Sequence, residues 1–512
     1  MIHHKIWLVM VMIISIFEWS SAGIPMVYNI LDYGAKPGKD VVNRGPLQKA
    51  IDACHEAGGG TVFIPADTFM TASLEMKSNV RLYLSPGALL LGSPYAKDYR
   101  EYEPQFAAYT NTYQNCALLF ARNQVNIIVE GFGTIDGNGG SKDFFMTKEQ
   151  WRAAENELKR PYGIHFKRCK GVQVRDVTLK SSAFWMQHYL ECENLKIDNI
   201  TVIKHGNYNN DGMDINNCRD VKISNSRIYC SDDAICFKST SDKHTENVTI
   251  TNCILKSHYN GFKIGTETHG GVKNLVMNNC VISSPGYENH HGPEDIGWAG
   301  IAIESCDGAA IENISISNIR IDSMKAPIFV RLENRGRLVA PDRPTPSVGV
   351  LKNVQLSNIY ATQMTKLSSS ITGIPGHPVK NIYLNNIQLY VAGGGDGQDL
   401  KAEVPEFEKK YPDCVMFGTN LPSYGFFVRH VEDIIMKDVT VVADIPDMRH
   451  GIVCHDVKNM QIDGVILNND SQRSEPLKIE DCQGVTVRNT FDEKSKIKTV
   501  KSQLIFSSET ID

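Results

Sequence analysis

Residues 167–228 read KRCKGVQVRDVTLKSSAFWMQHYLECENLKIDNITVIKHGNYNNDGMDINNCRDVKISNSRI, and one pattern occurs in them three times. The frames KRCKGVQVRDV (167–177), LECENLKIDNI (190–200) and INNCRDVKISN (215–225) each set a cysteine before a short run of alternating apolar and polar residues. A period of two in segments rich in Val and Ile predicts β-strands. Further along the chain, AIENISISNI (310–319) and IEDCQGVTVRN (479–489) return to the same pattern. Asn, Asp, Gly and Ser separate the strands, and helical patterns are nearly absent between them. Strands repeating about every two dozen residues without crossover helices predict a parallel β-helix, each coil stacked on the last. A sandwich or propeller needs hairpin turns, and the Asn-Gly and Asp-Gly pairs here do not alternate with strands in that way.

Outward from this stretch, one helix stands apart. Pro46 opens it, Leu47, Ala50, Ile51 and Cys54 make one apolar stripe, and Gly58 ends it. An amphipathic helix ahead of the first coil predicts a cap over strand edges that would otherwise invite aggregation. Residues 140–160 and 393–424 interrupt the repeat and read as loop excursions, of the kind that shapes a binding cleft on a rigid scaffold. Residues 1–22 carry a charged start, an apolar run and the small residues Ser20, Ser21 and Ala22. That order is a secretory signal, which makes the protein secreted or periplasmic and leaves 23–512 as a single catalytic domain. No later segment is long and apolar enough to span a membrane.

The formal net charge of −5 offers no basic excess for nucleic acid. A mildly acidic protein can still bind an anionic sugar where a few Lys and Arg gather. The 13 cysteines include no CxxC pair and no Cys/His cluster of zinc spacing, so no metal or cofactor is expected. Cys169, Cys192 and Cys218, then Cys253, Cys280 and Cys306, recur once per coil, which predicts buried ladders rather than disulfides.

Chemistry is expected where aspartates gather. Asp211, in NYNNDGMDI, and Asp232, in CSDDAICFKS, are 21 residues apart, close to one coil, and Asp233 follows directly. Stacked coils put such residues about 5 Å apart. Asp232 and Asp233 both face one cleft only where the backbone bends. Carboxyls so gathered repel one another and raise the proton affinity of at least one. One protonated acid and one carboxylate are what glycoside hydrolysis needs. Asp and Asn also serve as plain turn residues in such folds, and an aspartate cluster is equally a set of calcium ligands.

These residues carry a family likeness. Asn209, Asn210 and Asp211 resemble the Asn-Thr-Asp motif of glycoside hydrolase family 28, the polygalacturonases, and SDD at 231–233 resembles its Gly-Asp-Asp motif. GFKIGTETHGGVKN (261–274) and RLENRGR (331–337) resemble later segments of its exo-acting and plant-like members. The likeness runs from the capping helix to about residue 470. It implies a right-handed parallel β-helix, hydrolysis with inversion, and a pectic poly- or oligosaccharide as substrate. By resemblance Asp232 is the general acid, and Asp211 and Asp233 position the attacking water.

Two positions depart from the motif. Where the family has histidine, SHYNGFKIG offers Tyr259 or Asn260, with His258 close by, and Glu333 stands where the family's carboxylate-binding lysine belongs. Lys238 or Lys263 compensates for that inverted charge, or Arg331 and Arg335 hold the carboxylate, or the substrate is a rhamnogalacturonan. Asn209 and His188 complete the expected substrate contacts, and Trp185 is either a sugar platform or core. His290 and His291 read as a solvated loop. A calcium-dependent pectin lyase and a non-catalytic glycan-binding solenoid are the competing readings.

Overall fold

The computed structural model describes residues 26–102, 115–145, 147, 149, 159–203, 207–285, 296–338, 344–418, 421–469 and 475–492. The signal segment, His290 and His291 lie outside these residues. Strands pair in parallel from Val27–Asn29 through to Phe491–Asp492, so the chain is a parallel β-helix. One coil is formed by Met213–Asn216, Arg219–Ser224 and Arg227–Cys230, and the next by Ile235–Ser239, Thr245–Thr251 and Ile254–Ser257. Their registers are Met213↔Ile235, Val221↔Val248 and Ile228↔Leu255, which define a first, second and third stack of strands.

Parallel in-register stacking places like position on like position, and the sequence uses this in three ways. Inside, Val172, Leu195, Val221, Val248, Leu275 and Ile314 form one buried aliphatic column. Each such side chain contributes about 1.5–3 kcal/mol when removed from water. Outside on the second stack, Lys170, Glu193, Arg219, Glu246, Lys273, Glu312 and Lys352 alternate in sign along the solenoid. Identical charges at this position would repel across every strand gap; the alternation instead pairs Arg219 with Glu193 at 2.9 Å and Lys273 with Glu246 at 3.0 Å.

At the corners, asparagines take the left-handed conformation that a short polar side chain tolerates. Asn247, Asn274, Asn313 and Asn353 have φ of 57°, 56°, 61° and 57°. Asn247 donates to Asp220 one coil before, and each later amide to the side-chain oxygen of the preceding asparagine, as Asn353 does to Asn313 at 2.9 Å. Asn313→Ala is expected to cost about 1–2 kcal/mol through the left-handed backbone, and Asn313→Gly less, measured by urea unfolding. Equal losses in the two would show that the amide ladder, not the backbone, sets the cost.

Each of the 13 cysteines is free and buried, as the once-per-coil recurrence predicts. Five of them form two ladders rather than one, and Cys306, expected to follow Cys280, falls outside both because Ile319 stacks on Cys280. Cys169, Cys192 and Cys218 fill the corner before the second-stack strands, whereas Cys253 and Cys280 fill the corner before the third. The cap is the helix Arg44–Glu56, with Leu47, Ala50, Ile51 and Cys54 buried.

The first stack is buried on both faces. Ile301, Ile303, Ile328 and Val330 point into the main core. The alternate residues Ala302 and Phe329 belong to a second apolar cluster with Leu367, Cys414, Met416, Phe417 and Leu421. The excursion after Val379–Gly393 therefore folds back over the outside of this stack. At the other end Phe120, Tyr162, Phe184 and Trp185 form a third cluster. Between the two lies a strip of charged side chains.

Candidate active site

The strip begins at the corner leading into the first stack. Asp232 and Asp233 lie in the turn between Arg227–Cys230 and Ile235–Ser239, so the bend that both need to face one cleft is present. The Gly212 N–H donates to the Asp233 carbonyl at 2.9 Å, and the register Met213↔Ile235 carries back to set Asp233, rather than Asp232, directly over Asp211. Oxygens of Asp211, Asp232 and Asp233 lie within 4.8 Å of one another. Asp211 and Asp233 are buried, and Asp232 is half-buried.

Asp233 is the best-held of the three. Lys263 Nζ is 2.9 Å from its Oδ2, and Asn260 donates both its main-chain N–H (3.2 Å) and its side-chain amide (2.7 Å) to Oδ1. Asn260 thus occupies the place opposite Asp233 where the sequence left the family's histidine open. Burial pushes the Asp232 carboxyl up to about 7, with the Asp233 charge adding and Lys263 opposing. Burial also raises Asp211 well above the usual carboxylate range, helped by the charges of Asp232, Asp214 and Asp233. One Asp211 oxygen has no hydrogen-bond partner.

Behind these stands a group of which the sequence singled out only Lys238. Asp214 is fully buried with neither oxygen hydrogen-bonded, and Lys238 Nζ lies 3.5 Å from it and 3.9 Å from Glu267. The pairing of Phe237 with Ile264 and of Ser239 with Thr268 leaves two extra residues in Phe262–Thr268, and this bulge carries Glu267 to Lys238. Gly265 sits in it at φ +128°, where a Cβ would stand 2.7 Å from Glu304 Oε2. Burial raises Glu304 to about 8 against the pull of Lys263. A sequence signal for Glu304 exists: it is an acid in the apolar strand Gly297–Ser305, buried through Ser305.

The expected substrate contacts divide. Lys263 and Asn260 border the aspartates, while Arg335 lies on the Thr266 hydroxyl and over the Tyr411 ring that Lys263 also approaches. Lys238 is enclosed by Asp214 and Glu267 with its ammonium 4.7 Å over the Trp185 ring, so it supports the site from behind. His188 is corrected likewise: it is fully buried, bonded to His165 at 3.1 Å and packed on Trp185, which is core. Burial, then the charges of His165 and Lys238, keep His188 neutral. Asn209 accepts from Arg160 at 2.9 Å, and Asn210 turns inward to Ser182 and Phe184. His258 is buried beside the site.

The largest correction concerns Arg331 and Glu333, both fully buried. Arg331 donates to the carbonyls of Gly373, Glu406 and Phe407 at 2.9, 2.7 and 3.2 Å and to Thr372. It has no face left for a sugar acid. Glu333 lies 3.6 Å from Arg331 Nε without a hydrogen bond, and burial pushes it up to about 8 despite Arg331 and Arg335. The inverted charge therefore does not meet the substrate.

The chain resembles known proteins in sequence and in fold. An exo-poly-alpha-D-galacturonosidase of Dickeya chrysanthemi is 28% identical over 313 residues, covering 52% of this chain and 51% of its own. An exopolygalacturonase of Platanus acerifolia is 25% identical over 378 residues, covering 72% of this chain and 91% of its own. The solved structure of a Yersinia enterocolitica family 28 exopolygalacturonase superposes with a TM-score of 0.59 at 16% identity, over 90% of this chain and 78% of that one, a likeness of fold. The sequence profile of the glycosyl hydrolases family 28 matches residues 103–407, more than half of the chain and the whole of the aspartate site, and the protein is accordingly a glycosidase that belongs to that family.

Proposed function

We propose that the protein hydrolyses α-linked galacturonosyl bonds in pectic polysaccharide. Asp232 protonates the leaving oxygen, and Asp211 and Asp233 position the attacking water, with Asp233, paired to Lys263, as its base. The observation that carries this reading is the unequal treatment of three clustered carboxyls. Asp233 is clamped by Lys263 and Asn260, while burial and that neighbouring charge let Asp232 hold a proton to about 7. A proton donor beside a fixed carboxylate is the requirement of glycoside hydrolysis. The Lys263 ammonium at 2.9 Å from Asp233 weighs against a calcium-dependent lyase, since a divalent ion among these carboxylates would meet that charge. Exo action is proposed from the excursion folded over the first stack and from the names of the relatives. Inversion is proposed from the family likeness. The 4.8 Å grouping is tighter than the roughly 6.5–9.5 Å usual for two-carboxylate inverting sites, so the first-formed anomer is the deciding readout. The leader at residues 1–22 supports export, and no helix among the described residues is long and apolar enough to cross a membrane.

Digestion of polygalacturonate with and without a chelator, with products resolved by mass and by anomeric NMR signals, tests the reading. Saturated monogalacturonate released equally in both conditions is expected. Unsaturated products lost on chelation would make the enzyme a lyase, and turnover of rhamnogalacturonan alone would move the substrate.

A further inference from the structure

Two arginines hold one short stretch of the excursion by its main chain. Arg331 donates to the carbonyls of Glu406 and Phe407, and Arg429 to those of Val404 and Pro405 at 2.6 and 2.9 Å. The Asn334 N–H adds a bond to the Glu408 carbonyl at 2.8 Å. Both guanidiniums lie near the Phe417 ring, 5.4 and 5.8 Å from its centre. Buried donors on consecutive carbonyls fix residues 404–408 much as a strand pairing would, which an ordinary surface loop does not need.

What this anchorage carries is Tyr411. Its side chain stands at the aspartate strip, with the ring centre 4.8 Å from Arg335 Cζ and 6.0 Å from Lys263 Nζ, and it remains 45% exposed. Arg335 has two side-chain contacts among the described residues: the Thr266 hydroxyl at 3.3 Å and the Tyr411 ring. Most of its planar fork of donors is therefore available. Arg337, two residues on, is by contrast closed by Asp307 at 2.9 Å.

We infer that Tyr411 and Arg335 form a subsite for one hexuronosyl residue, with the pyranose face on the Tyr411 ring and the carboxylate in the Arg335 fork. The inference rests on the galacturonan reading and gives that reading its acid-recognising side chains. A guanidinium braced by a ring and a hydroxyl presents paired donors to a carboxylate at little cost in side-chain freedom. Lys263, already on Asp233, extends the positive field from the subsite to the aspartates. The carboxylate-binding role has thus left the position of Glu333, and the buried Arg331 two residues before it has become part of the mount for Tyr411.

The test is calorimetric titration of trigalacturonate into the Asp232→Asn protein, in which turnover is expected to be about 10²–10⁴-fold slower. Arg335→Gln and Tyr411→Ala in that background are each expected to weaken Kd about tenfold or more, the scale of losing a charge-assisted bond or an aromatic anchor. Tyr411→Phe, which keeps the ring, is expected to stay within about threefold. Against a carboxyl-reduced trisaccharide, Arg335→Gln is expected to change nothing. An unchanged Kd for trigalacturonate in Arg335→Gln or in Tyr411→Ala overturns the subsite, as does an equal loss in Tyr411→Phe and Tyr411→Ala. Failure of the parent Asp232→Asn protein to bind any galacturonate oligomer overturns the galacturonan reading, and the subsite with it.

Discussion

Asp232→Asn is expected to lower kcat on polygalacturonate by about 10²–10⁴-fold, the range that a positioned general acid supplies. The amide keeps the shape of the side chain and removes only the transferable proton. Asp232 is half-buried, and its main-chain bonds, including the carbonyl's acceptance from Ser257, survive the change. The unfolding midpoint is therefore expected to stay nearly constant while turnover collapses. The pH profile gives a second readout. Burial and the Asp233 charge hold Asp232 protonated up to about 7, so the donor is present below that pH and is lost as pH rises through it. Activity should fall on the alkaline side with a midpoint near 7, and the residual activity of Asp232→Asn should lack that limb. Appreciable turnover in the variant, with the same alkaline limb, would assign the proton to another group, with Asp211 next in line because it too is raised.

Glu333→Lys restores the residue of the family motif, and its expected result is loss rather than gain. Position 333 is fully buried against Arg331, whose fork already serves three carbonyls. A lysine there sets a second cation beside a buried guanidinium, and an uncompensated buried charge of this kind costs about 3–5 kcal/mol. The same change unsettles the mount of the excursion, so Tyr411 loses its fixed place. Urea unfolding should show the destabilisation, and polygalacturonate turnover should not improve. Glu333→Gln is the control: burial already raises Glu333 to about 8, so a neutral isostere is expected to change stability by less than about 1 kcal/mol. A stable Glu333→Lys protein with higher activity would put residue 333 back in contact with the sugar.

These two positions mark how far the sequence is legible. The strands, the capping helix and the once-per-coil cysteines follow from relations a few residues long, and these are local properties of the chain. The period-two runs could only bury one face by stacking, and Leu47, Ala50, Ile51 and Cys54 could only share one side of a helix. The aspartate cluster was legible for a related reason: one coil is a nearly fixed length, so spacing along the chain becomes proximity across it. Even there the spacing was one residue short, because Asp233 and not Asp232 stacks on Asp211. A corner's length is set by its bend, which composition does not report.

Residue identity determined which groups are available for chemistry: three aspartates, the lysines 238 and 263, and arginines 331 and 335. Tertiary structure alone decided which of them face a substrate. Arg331, His188 and Lys238 sit on outward-facing strand positions that would be exposed in a bare solenoid. Arg331 is buried because the excursion after residue 393 covers it, and His188 and Lys238 because side chains of other coils, with Trp185, close over them. Tyr411 and Glu304 enter the site by the same route, since their neighbours there lie well over a hundred residues away or on separate coils. Burial then fixes their charge, because the cost of holding an ion out of water depends on everything packed around it and on nothing within its own segment of chain.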